Sequence, residues 1–111
     1  MQEKENKKKE FENILSEAID HGLKILGETV KETLLFFIKN NFNLKEEEIP
    51  KEPEKFSLGL KKIYGEVGSA FLEDQILSSL YTMLGLRYTR RENINFEAQI
   101  REAFKEYVAR L

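Results

Sequence analysis

The chain has 111 residues, 34% of them charged and 41% hydrophobic, with two Pro, no Trp and no Cys. One domain with one modest core fills that length, and the missing cysteines exclude disulfides, thiolate chemistry and Cys-ligated metals and suit a reducing, cytoplasmic setting. No window approaches the roughly 18 consecutive apolar residues of a membrane span, the polar start is unlike a signal peptide, and a net charge of −2 argues against a surface dominated by phosphate binding.

Residues 1–10 have nothing apolar to bury after Met1 and are expected as a polar tail or a solvated first helical turn, with residues 11–111 as a single helical domain. From Phe11 the apolar positions Ile14, Leu15, Ala18, Ile19, Gly22, Ile25 and Leu26 recur at three- and four-residue spacing, which predicts a helix. Gly27 reads as its stop, where a residue without Cβ takes positive φ. Thr29-Val30-Lys31-Glu32 has the form of a capping box for a second helix. The face expected inward is Val30, Leu34, Phe37, Ile38 and Asn41, with Leu35 and Phe42 widening it. Phe36 points the other way and either stands incidentally exposed or touches a neighbouring element or subunit.

Asn43-Leu44-Lys45-Glu46 resembles another capping box, opening a short turn through Glu46–Glu48 that Ile49-Pro50 ends. Pro53 fits the first turn of a third helix, whose apolar side is Phe56, Leu60, Ile63 and Tyr64 and whose end is Gly65. Glu66 to Leu84 is apolar on two arcs. One is Val67, Ala70, Leu77, Tyr81 and Leu84; the other is Leu72, Ile76, Leu80 and Met83. Such a helix belongs in the middle of a bundle. Gly85 closes it, a loop follows to Ile94, and Asn95 caps a last helix striped by Phe96, Ile100, Ala103, Phe104, Tyr107, Val108 and Leu111. The expected fold is all-α, a compact bundle of about five helices with one short extra helical turn. Ile25-Leu26-Gly27-Glu28 and Ile63-Tyr64-Gly65-Glu66 read as two similar helix–helix junctions rather than a repeat solenoid.

Few residues carry chemistry. His21, the only histidine, sits at the border of the first helix's apolar face, where a boundary position competes with a Glu17–His21 metal or pKa pair. Asp74 falls inside an apolar arc and is the candidate buried polar group. Its possible partners are the Tyr81 hydroxyl, an Arg of the 87–91 cluster, a facing subunit, or water at the bundle edge. All five arginines, Arg87, Arg90, Arg91, Arg101 and Arg110, lie in the last 25 residues. With Tyr88 among them, Arg87, Arg90 and Arg91 have the donors to grip nucleic acid or an acidic partner, against the alternative of a solvated loop tied to Glu92, Glu97 and Asp74. Lys7–Lys9 and Glu46–Glu48 read as solvated segments. There is no Gly-rich phosphate loop, nucleophile elbow or His-Glu-x-x-His, so no catalytic residue, metal or cofactor is expected, and the chain is not expected to be an enzyme.

Leu26-Gly27-Glu28-x-Val30, Ile49-Pro50-x-x-Pro53-x-x-Phe56, Leu60-x-x-Ile63-x-Gly65-x-x-Gly68 and Leu72-Glu73-x-x-Ile76-x-x-x-Leu80-Tyr81 occur in this order. The succession resembles the archaeal Nitrososphaera output domain family, a small helical domain, over about residues 13–85. The resemblance implies an archaeal source and a module found alone or beside signalling domains, with no established catalytic residues. A histidine associated with the second helix of such domains is replaced by the Phe36-Phe37 region here, so no role for it carries over. The expected function is a non-catalytic, cytoplasmic interaction or regulatory module that forms a homodimer, with Phe36, Arg87, Tyr88, Arg90 and Arg91 as partner-binding candidates. The rival is a nucleic-acid-binding regulator using the Arg87–Arg91 loop, and a weaker third is a pocket for a small apolar ligand between helices.

Overall fold

In the computed structural model, which describes residues 2–110, the glycines divide the chain. α1 spans Gln2–Leu23 and ends in a 3-10 turn, Lys24–Leu26; α2 spans Glu28–Phe42. A second 3-10 turn, Glu46–Lys51, leads into α3, Pro53–Leu84, and α4 is Phe96–Ala109. α3 is broken at Gly65, whose φ of 75° and ψ of −176° are not helical. Counted by its two arms the molecule has five helices, with no strand among the described residues, which is the all-α bundle expected. The polar segment is helical from Gln2 onward, and the apolar position Leu111 lies outside the described residues.

Each stop has a physical cause. Gly27 (φ 85°, ψ 156°) and Gly65 share a backbone region that only a residue without Cβ adopts freely. Gly85 is left-handed, its N–H bonded to Thr82 O at 3.1 Å and the Leu86 N–H to Tyr81 O at 2.8 Å, the paired bonds of a Schellman cap. Asn95 caps α4 by accepting from the Ala98 N–H at 2.8 Å.

Two expected caps are not formed. α2 already includes Glu28, so Thr29 is its second residue, and its carbonyl accepts from the Thr33 hydroxyl. Asn43 is left-handed and terminates α2; the following turn is opened by the Lys45 N–H donating to Glu48 Oε1 at 3.0 Å. That turn also continues through Ile49 and Pro50 to Lys51 rather than ending before them.

The core centres on α1 against α3, and α4 packs on α3 and touches α1. Gly22 is the crossing point: a Cβ there would sit 2.7–2.9 Å from Ile76, including its backbone. Leu15, Ala18, Leu23, Leu60, Ile76 and Leu80 are fully enclosed. Gly59 lets α2 approach α3, within 3.1–3.5 Å of where Ile38 and Phe42 would meet an added Cβ.

The inward face of α2 is turned by about one residue from expectation. Lys31, Leu34 and Ile38 are buried, whereas Val30 is 46% exposed. The cause is electrostatic: the Lys31 ammonium lies 2.5 Å from Asp20 of α1 and 2.9 Å from Glu28. The Asp20 carboxylate, then that of Glu28, holds the ammonium well above the usual lysine range. In α3, Val67 and Met83 are likewise exposed rather than buried, as are Ile25 at the end of the first hairpin and, at its margin, Val108.

Candidate functional site

The segment joining α3 to α4 carries four of the five partner-binding candidates, and its own side chains fasten it. Leu86 is buried beneath the α3 cap. Tyr88 lies tilted against Tyr81, ring centroids 5.3 Å apart, and its hydroxyl donates to Asp74 Oδ1 at 2.6 Å. Burial, then this bond to a carboxylate, pushes the Tyr88 phenol above the usual tyrosine range. Arg91 reaches α4, with Nη1 2.5 Å from Glu102 Oε1. Arg110 donates back to Gly85 O at 3.3 Å.

Asp74 is therefore half-buried rather than buried, and it is satisfied by Tyr88. The Tyr81 hydroxyl is used elsewhere, donating to Gln99 O at 3.1 Å. No arginine pairs with Asp74 among the described residues. The five candidates do not form one site. Arg91 and Tyr88 brace the loop, Arg87 and Arg90 face solvent without an ion-pair partner among the described residues, and Phe36 stands on the outside of α2, 67% exposed.

Between the loop and α3 lies an open groove of about 520 Å³. Lys61, Glu66, Glu73 and Asp74 are the charged groups of its α3 wall, and Arg90, Arg91 and Glu92 those of its loop wall. Glu73 accepts a hydrogen bond from Ser57, and burial raises its carboxyl above the usual carboxylate range despite that bond. Both walls mix acidic and basic groups, so the groove presents no uniform positive field to a phosphate backbone. A second groove, about 1020 Å³, runs between α1, the second 3-10 turn and α4 over Phe11, Pro50 and Phe104, with lysines and glutamates mixed along its edges.

His21 is exposed and its Nδ1 lies 2.9 Å from Ser79 Oγ. A Ser–His contact alone does not make a nucleophile. Ser79 sits inside α3, where backbone N–H groups are spent on helical bonds and none is left to stabilise an oxyanion. Among the described residues, no group of three or more His, Asp or Glu side chains is placed to hold a metal ion, and no helix is long and apolar enough to cross a membrane.

Sequence reasoning missed four buried polar residues. Lys31 is 8% exposed, Ser57 9%, Ser69 0% and Gln99 4%. No pattern in its own helix marks Lys31 as buried, because Asp20 lies on another helix. The Ser57–Glu73 bond spans the Gly65 break and becomes visible only once the two arms are known to fold back.

Compared with protein-family models, with curated proteins and with solved structures, the chain matches none.

Proposed function

We propose that this chain is a non-catalytic helical interaction module, acting through protein–protein contacts and associating with itself. The observation that carries this reading is the apolar side chain left in solvent around a core that is already complete. Phe36 is 67% exposed, Val67 86%, Ile25 57%, Leu58 56% and Phe71 48%. Single exposed apolar residues are ordinary, but several large ones on a small domain mark a surface that a partner covers. The resemblance of the junction motifs to the Nitrososphaera output domain family supports the same reading, and with it a cytoplasmic, archaeal, signalling-coupled setting. Sedimentation equilibrium at micromolar concentration tests the reading: a dimer is expected, and a strictly monomeric species overturns it. Phe36 anchors a further protein contact, and Phe36→Ser removes that contact without lowering the melting temperature.

One observation favours the nucleic-acid reading, the outward Arg87 and Arg90. Against it stand the Arg91–Glu102 pair and the carboxylates of the groove beside them. Affinity for a duplex that falls steeply with salt and is lost in Arg87→Ala/Arg90→Ala would favour it; no binding at low salt eliminates it.

A further inference from the structure

Three of the four buried polar side chains are bonded within the fold. Lys31 pairs with Asp20 and Glu28, Ser57 donates to Glu73, and Ser69 donates to Glu66 O at 3.2 Å. Gln99 of α4 is the exception. Its main chain is engaged, the N–H donating to Asn95 O at 3.1 Å and the carbonyl accepting from Tyr81, but its side-chain amide bonds to none of the described residues. The residue is only 4% exposed, and burying an amide without a partner costs stability. No side-chain nitrogen or oxygen among the described residues is both sealed off and unpartnered. The Gln99 amide therefore keeps an opening, and the groove of about 520 Å³ that Gln99 lines supplies it. The charged groups of that groove are graded by depth. Glu73 and Asp74 are half-buried, whereas Lys61, Glu66, Arg90, Arg91 and Glu92 are exposed. Every cation thus stands at the mouth, and the charges set back from it are carboxyls.

We infer that this groove is a binding site for a small organic ammonium compound, held amine-first against Glu73 and the Gln99 amide. The inference is independent of the self-association reading. An ammonium has three donors and no acceptor. Ser57 occupies one oxygen of Glu73 and Tyr88 one oxygen of Asp74, which leaves the second oxygen of each, with the Gln99 amide oxygen, free to accept among the described residues. Glu73 has no cation within salt-bridge distance, and the ligand's charge supplies the one that is missing. Ala70, Leu77, Ile94 and Phe96 give the same groove an apolar lining for the carbon body of such a ligand, and its volume lies in the range of small-molecule sites. A bare metal ion fits less well, since no group of three His, Asp or Glu side chains among the described residues is placed to hold one. Amines and amino acids both carry this head group. An amino acid adds a carboxylate, which the Arg90 guanidinium at the mouth, unpaired among the described residues, would meet.

Three probes with one carbon body separate the possibilities: 3-methylbutylamine carries the ammonium alone, leucine the ammonium and a carboxylate, and 4-methylpentanoate the carboxylate alone. Titrated up to about 10 mM into nitrogen-15-labelled protein, the two ammonium compounds are expected to shift the Gln99 side-chain amide signal, and 4-methylpentanoate is not. Tighter binding of leucine than of 3-methylbutylamine, lost in Arg90→Ala, identifies an amino acid as the ligand class; equal binding identifies a simple amine. Glu73→Gln removes the charge partner and weakens binding roughly tenfold or more. Gln99→Met fills the same space without the unpartnered amide, so it is expected to abolish binding while the free protein melts no lower than the parent. A Gln99 amide signal unmoved by either ammonium compound overturns the inference. So does a 4-methylpentanoate affinity equal to that of the amine, or a Glu73→Gln variant that binds as the parent does. Should Gln99→Met fail to fold, the three probes and Glu73→Gln decide by themselves.

Discussion

Lys24-Ile25-Leu26-Gly27-Glu28 and Lys62-Ile63-Tyr64-Gly65-Glu66 differ at one position in five. Their glycines adopt nearly the same backbone, φ 85° and ψ 156° against φ 75° and ψ −176°, and each is followed by a helix opening on Glu. Yet the two hairpins are fastened by opposite means. Behind Gly27, Lys31 is clamped between Asp20 and Glu28, whose side chains remain 40% and 62% exposed. Behind Gly65, Ser57 and Glu73 hydrogen-bond in a half-buried place with no cation as close. Each stands eight residues from the break, about 12 Å along its arm, so the arms must double back sharply. The same five-residue turn therefore sets the path of the chain, and the side chains beyond it decide how the hairpin responds to acid and to salt.

The largest expected effect tests what the two share. Nothing lies within 4 Å of a Cβ added at Gly27 or Gly65, so Gly27→Ala and Gly65→Ala have a backbone cost only, about 1–3 kcal/mol each. Urea unfolding is expected to give equal losses within error, and a large inequality would show that the two turns are not the same device.

Next in size is Ser57→Ala, which takes the donor from a half-buried carboxyl and costs about 1–2 kcal/mol. Glu73→Gln acts in the opposite direction. Burial raises the Glu73 pKa in the folded state above its unfolded value. The folded chain then binds the proton more tightly, and stability falls as pH rises through the window between the two values. Glu73→Gln keeps an acceptor for Ser57 without the charge. It is expected to gain up to about 1 kcal/mol at neutral pH and to flatten that slope in thermal melts taken at stepped pH.

The smallest effect belongs to the first hairpin. Lys31→Met is expected to lower the melting temperature less than Ser57→Ala, because water reaches both released carboxylates, and added salt should shrink the loss further. Since its folded pKa is raised, Lys31 contributes in full below the unfolded lysine value and is lost only as pH rises through the higher folded one. Melts between neutral and mildly alkaline pH should therefore show no slope from this hairpin.

Local signals were legible in the residues and long-range ones were not. Gly27, Gly65, Gly85 and Asn95 are legible as helix boundaries because each acts on its own few neighbours, and each bounds a helix in the structure. Periodicity puts Val30 and Val67 inside because it knows only the helix that carries them. Which residue is buried depends on what lies across: Asp20 draws Lys31 inward, and no described residue covers Val67. The Arg-rich loop was open to two readings for the same reason. Tyr88 and Arg91 are committed by Asp74 on α3 and Glu102 on α4, whereas Arg87 and Arg90 meet no such partner among the described residues. Tyr88→Phe should loosen the loop at a cost of about 1 kcal/mol, and amide exchange across residues 87–93 should read the change.

The contact between Tyr107 and Glu10, reinforced by the Phe11 ring 5.1 Å from that of Phe104, ties together residues 97 positions apart. On a ribosome adding about 5–20 residues per second, the first helix waits roughly 5–20 seconds for the last to emerge. Through that interval Phe11 lacks the rings of Phe104 and Tyr107 that it packs against. The hairpins can close early, each around its own glycine, but the bundle is sealed only once α4 has emerged. Of all its segments, α1 is the one that waits longest for its last partner.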